Sequence, residues 1–120
     1  MRIDLEAPQL RFFAASLFLL LLLGLFLGGT QPVAVGLFSP PNDKLAHGGL
    51  FAILAILLSA AWPRLTWTGC FLLVTLIGFA DEFHQISLPG RQAAWDDGLA
   101  DMLGALLGLF AWRFSPWKKP

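Results

Sequence analysis

Charge is scarce in this chain. Of its 120 residues, 8 are Lys or Arg and 8 are Asp or Glu, against 57% hydrophobic residues. A water-soluble domain of this length has too much surface for its volume to hide that much apolar side chain. The charges cancel to a net +0, which gives no reason to expect a nucleic-acid partner. Cysteine is nearly absent as well. A single Cys70 excludes an internal disulfide and a cysteine metal cluster, and its apolar surroundings make it packing material. Repeats, low-complexity tracts and a soluble domain are all missing. Soluble enzyme, disordered tail and disulfide scaffold are therefore poor fits. What is present, a mean hydropathy of +0.69, fits one small integral membrane domain covering residues 1–120.

The charges that exist are unevenly placed. None occurs from Phe12 to Asn42, and only Arg64 from Leu45 to Ala80. The pattern predicts an all-α integral membrane protein, a bundle of four transmembrane helices with short loops. The spans fall at about 12–29, 45–62, 65–85 and 95–114, each near the length needed to cross hydrocarbon. A signal peptide is the alternative for the first, but its apolar core is long for an h-region and no good small-x-small cleavage site follows Gly29. The fourth is the least obvious. Its purely apolar part is only Met102 to Trp112, and Asp96, Asp97 and Asp101 precede or enter it, so a short buried or re-entrant helix is the alternative. Pro63–Arg64 makes a tight turn between the second and third spans, and Pro89–Gly90 marks another.

Four spans place both termini on one side. Arg2, Arg11, Arg64, Arg113, Lys118 and Lys119 then share that side, with only Lys44 and Arg91 opposite. The positive-inside bias makes both termini cytoplasmic. Trp62, Trp67, Trp112 and Trp117 fall near inner ends and Trp95 near an outer one, as an interfacial aromatic belt requires.

Three polar groups meet the membrane from the outer side. Asp43-Lys44-x-x-His47 opens the second span. Lys44 and His47 are three apart and share a helix face. Asp81-Glu82-x-x-Gln85 ends the third span, where the negative end of the helix dipole disfavours carboxylates unless a cation or proton is near. Phe83 points away, and His84 faces either solvent or the bundle. The third group runs from Pro89 to Asp101 and contains Arg91, Asp97 and Asp101. An ionised carboxylate at the depth of Asp101 is rare unless it faces a polar interior. Asp97, Asp101, Gly104 and Gly108 fall at steps of four, three and four, on one helix face. Gly104 and Gly108 form GxxxG, a close-approach surface for a second helix, with Gly24 and Gly28 of the first span as a candidate partner.

Each polar residue also has a bland reading. Lys44 is read equally as a snorkelling anchor, His47 as a satisfied packing histidine, Asp96 as an N-cap and Arg91 as a partner of Asp81 or Glu82. The functional reading makes Lys44, His47, Asp81, Glu82, Gln85, Arg91, Asp97 and Asp101 the ligand-binding set. His47, Glu82 and Asp101 are the candidate catalytic groups for acid–base work. His47, Asp81, Asp97 and Asp101 are the candidate ligands for a divalent cation; oxygen ligands favour Mg²⁺, Mn²⁺ or Ca²⁺, and the histidine admits Zn²⁺. No cofactor is evident from a motif. Ser87 lies near but has no triad.

In order and spacing these motifs resemble the VanZ-like family of small bacterial membrane proteins. The resemblance runs from Asp43 to Gly108 and rests on Asp43-Lys44-x-x-His47, Asp81-Glu82-x-x-Gln85, Pro89-Gly90-Arg91, and Asp97 with Gly104 and Gly108. One position departs: Asp101 stands where that family usually has asparagine. The resemblance implies a multi-pass protein of the bacterial cytoplasmic (inner) membrane, linked to the cell envelope and to glycopeptide (teicoplanin) resistance. The expected partners are the lipid bilayer and a cell-envelope precursor or glycopeptide; the oligomeric state is left open. Three functions compete. The outer cluster binds an anionic envelope or lipid-linked ligand; or it is a membrane-embedded enzyme site for metal-assisted or acid–base chemistry on such a substrate; or it is a structural ionic network. Transport by so small a chain would require an oligomer.

Overall fold

The structure is a computed structural model that describes residues 7–28, 42–87 and 95–115, with the backbone alone for residues 42, 43 and 95–97. It is all-helical among the described residues. The helices are α1 (Pro8–Gly28), α2 (Asn42–Ala61), α3 (Trp67–Ile86) and α4 (Trp95–Arg113). Three of these, α1, α2 from Lys44 onward and α3, are long and apolar enough to cross a membrane. The fourth is one continuous helix of 19 residues, and at 1.5 Å per residue it extends for roughly 28 Å.

The boundaries have local causes. Pro8 opens α1, where its missing N–H costs nothing and its fixed φ is already helical. α2 starts directly after Pro40–Pro41 in the sequence, a pair that resists helical conformation on its N-terminal side. That start is earlier than the hydropathy alone suggests, and it places Lys44 and His47 inside the helix. α2 ends before Pro63. The Trp62 carbonyl accepts from the Leu65 N–H at 3.0 Å, closing a β-turn with proline at its preferred second position. Thr66 then caps α3: its side chain accepts from the Gly69 N–H at 3.0 Å.

The helices run up, down, up and down. The order of contacts along each pair gives the directions. Residues 47, 48 and 52 of α2 meet 101, 104 and 108 of α4 in the same order, so these two are parallel. Trp67 of α3 meets Phe110 of α4 while Gly78 meets Asp101, so these two are antiparallel. Trp112 near the end of α4 packs against the cluster formed by Ala14, near the start of α1, with Ala60 and Ala61 at the α2–α3 turn end.

The core lies along α2. Phe51, Leu54, Ala55 and Leu58 are buried against Phe18 of α1, Cys70 and Val74 of α3, and Ala105 and Leu109 of α4. Outside it the molecule is greasy. Phe12, Leu20, Leu27, Leu72, Leu76, Leu99, Leu103 and Leu107 are all exposed. In water such a surface would aggregate; it is suited to hydrocarbon. Hydrophobic burial does little to join helices in hydrocarbon, so close packing must.

The closest packing is between α2 and α4, which share the most extensive contact in the molecule. A Cβ placed on Gly104 would lie 2.7 Å from Gly48 Cα, and one on Gly108 would lie 2.8 Å from Ala52 Cα. The GxxxG of α4 therefore meets Gly48-x-x-x-Ala52 of α2. Gly24 and Gly28, the partner suggested by the sequence, have nothing within 4 Å of an added Cβ. Both pairs set small residues four apart, but α2, parallel to α4, brings its pair to the right depth.

Candidate functional site

The buried charge of the described residues is confined to one end of the bundle. Asp81, Glu82 and Asp101 are 2%, 8% and 1% exposed, and among the described residues no other charged group is buried. They arrive from two helices. In α3 the inward residues recur at Cys70, Val74, Gly78 and Asp81, one stripe of a helix whose opposite side stays exposed. Asp81 and Glu82 continue that stripe to the helix end, and Phe83 points outward, 78% exposed. In α4 the stripe is Asp101, Gly104, Ala105, Gly108 and Leu109. Asp101 is thus carried inward by the glycines below it.

α2 supplies the histidine. His47 Nδ1 lies 3.1 Å from Asp101 Oδ1. The ring is partly accessible, whereas Asp101 is enclosed. The neighbouring Gly48–Gly104 contact holds the two backbones close enough for this bond to form. Gly78 provides the third close approach: a Cβ there would meet Asp101 Oδ2 at 3.0 Å and Phe51 Cε1 at 3.3 Å. Gln85 Nε2 donates to Asp81 Oδ2 at 3.1 Å, one turn along α3. Ligand atoms of His47, Asp81 and Glu82 all lie within 4.8 Å of one another.

The structure thus brings together His47, Asp81, Glu82, Gln85 and Asp101, five of the eight residues expected to bind a ligand. Lys44 is half-buried one turn before His47 in α2. Arg91 lies outside the described residues, as does the side chain of Asp97. His84, which the sequence left between solvent and bundle, turns to α1 and packs on Phe26 with ring centroids 5.7 Å apart. The Ser87 hydroxyl donates to the His84 carbonyl at 2.7 Å, so it serves the end of α3. Sequence reasoning missed Gly48, Ala52 and Gly78. The signal was there: small residues four apart beside His47, and a glycine three residues before Asp81.

Electrostatics gives this end its character. Three carboxyl groups in a low-dielectric interior need positive charge or protons beside them, since like charges so placed repel and desolvation penalises each. The Asp101 contact also selects a ring geometry for His47. The Asp101 carboxylate beside Nδ1 orients the ring, as a carboxylate commonly orients a metal-binding histidine. Asp81 and Glu82 add hard oxygen donors.

The fold and site define a small all-helical protein, built for an apolar surround, with an acidic, histidine-containing cluster at one end of the bundle. A family model described as VanZ/LLP1 matches residues 9–116, nearly the whole chain, and the protein belongs to that family, whose members are membrane-associated. No curated protein and no solved structure matches the chain.

Proposed function

We propose that the protein is a four-span, multi-pass binding protein of the bacterial inner membrane, with both termini cytoplasmic. Its cluster of His47, Asp81 and Glu82 holds a divalent cation at the outer face. The cation, with Lys44 and Arg91, receives an anionic group of a cell-envelope or lipid-linked ligand. The observation that carries this reading is the convergence of His47, Asp81 and Glu82 donor atoms within 4.8 Å of one another. A bound cation would offset the carboxylate repulsion and present a hard Lewis acid to phosphate or carboxylate. Asp101 then acts through His47, and Gln85 through Asp81. Binding without turnover is favoured because, among the described residues near the cluster, neither serine nor cysteine is poised as a nucleophile: Ser87 caps α3 and Cys70 is deep in the core. A link to glycopeptide response would follow if the ligand is an envelope precursor.

A second reading has its own observation. His47 pairs directly with Asp101 and Gln85 with Asp81, as in an ionic latch that only holds the helices together. One experiment separates the two. Protein in neutral nanodiscs is titrated with Mn²⁺ and followed by electron paramagnetic resonance. Glu82→Gln and Asp101→Asn variants are titrated alongside it and scored in cells for membrane abundance and glycopeptide response. The binding reading expects one saturable Mn²⁺ site, weakened on the order of tenfold or more by either variant, with response lost at normal abundance. Absence of a saturable site, with abundance falling alongside response, would leave only the latch.

A further inference from the structure

The opposite end of the bundle holds a cleft of about 660 Å³ that the acidic cluster does not use. It opens between α1 and α3, which barely touch, over a floor made by α2. Phe18, Leu58, Leu73 and Ile77 are among its apolar lining residues, and Arg11 and Arg64 line it as well. Both arginines lie at the same end: Arg11 in the first turn of α1 and Arg64 in the α2–α3 turn. From Trp67, at the turn, to Ile77 the α3 wall rises ten residues, roughly 15 Å. That is about half of a ~30 Å hydrocarbon core, the depth of one leaflet. Trp62, beside the turn, also lines the cleft, and tryptophan prefers the headgroup level.

The charge at this end is of one sign among the described residues. Arg11, Arg64 and Arg113 all lie there, while the described carboxylates Asp81, Glu82 and Asp101 lie at the other end. Guanidinium groups match phosphate oxygens in pairs. An apolar groove one leaflet deep, with two arginines at headgroup level, has the shape and charge of a single lipid.

We propose that this cleft binds one anionic diacyl phospholipid of the surrounding leaflet, its phosphate on Arg11 and Arg64 and one acyl chain along Phe18, Leu58, Leu73 and Ile77. The proposal depends on the protein lying in a bilayer, but not on what the acidic cluster binds. The lipid fills the gap between α1 and α3 and ties α1 to the bundle where helix–helix contact is thin.

The test is native mass spectrometry of protein released from nanodiscs containing equal phosphatidylglycerol and phosphatidylcholine. The wild type should retain one phosphatidylglycerol with a preference on the order of tenfold, as expected for two arginines each contributing at the membrane surface. The Arg11→Gln/Arg64→Gln double variant, checked for helix content by circular dichroism, should retain both lipids equally. Arg113→Gln and Asp101→Asn should keep the preference; loss of Mn²⁺ binding in Asp101→Asn leaves this result unchanged, so the two sites fail separately. Equal retention of both lipids by the wild type overturns the proposal without reference to any variant. Displacement of the retained lipid by millimolar inorganic phosphate would also overturn it, because the acyl chain would then contribute nothing.

Discussion

Gly104→Ala tests the packing on which the acidic cluster rests. The new methyl group would lie 2.7 Å from Gly48 Cα and 2.8 Å from the Gly48 carbonyl carbon. Both are backbone atoms, so no rotamer change relieves the clash. Carbon atoms pack best at about 3.5–4.0 Å, so α2 and α4 must part by roughly 1 Å. Overpacking of this kind costs about 1–3 kcal/mol. The better helix propensity of alanine returns at most about 1 kcal/mol. The net effect is a loss of about 1 kcal/mol, roughly a fivefold drop in the folded-to-unfolded ratio. Gly24→Ala is the matched control. Nothing lies within 4 Å of a Cβ there, so only the propensity term remains and the variant should equal or slightly exceed the wild type. The difference between the two variants isolates the clash, about 2 kcal/mol. Unfolding by sodium dodecyl sulfate in mixed micelles, followed by circular dichroism, measures it. Parting the helices also pulls His47 Nδ1 from Asp101 Oδ1, now 3.1 Å apart, beyond hydrogen-bond range, and the imidazole ¹⁵N shifts should report the change. If Gly104→Ala and Gly24→Ala unfold together with unchanged imidazole shifts, the close approach of α2 and α4 is wrong.

Two further outcomes follow from local geometry. Thr66→Ala removes the acceptor of the Gly69 N–H at the start of α3 and should cost about 1 kcal/mol in the same unfolding assay, whereas Thr68→Ala, exposed and inside the helix, should stay within about 0.5 kcal/mol; equal losses would remove the cap from the account. Cys70 is 1% exposed and sits by Ser59 and the Ala55 carbonyl, so a maleimide should label it only after unfolding; rapid labelling of the native protein would mean that the α2–α3 interface is open.

Much of this protein was legible as a string. The stretches without charge fixed three helices, because apolar runs of that length have no other stable form in hydrocarbon. Pro63 placed the turn between α2 and α3, since proline cannot continue the helix. The inward face of α4 was readable from Asp101, Gly104 and Gly108, because charge and small side chains both avoid lipid. His47, Asp81, Glu82 and Asp101 announced themselves by being polar in apolar surroundings.

What the string left open were the pairings. Two pairs of small residues four apart, Gly24/Gly28 and Gly48/Ala52, offered α4 a surface, and composition could not choose between them. The choice follows from helix direction and depth, which belong to the assembled bundle: α2 runs parallel to α4 and brings Gly48 and Ala52 level with Gly104 and Gly108. The same register sets His47 against Asp101 and gathers Asp81 and Glu82 around the ring. The arginine-lined cleft was equally hidden, for it exists only because α1 leans on α2 and leaves a gap beside α3. Periodicity along one helix records which side faces inward; which neighbour meets that side is decided by packing among all four.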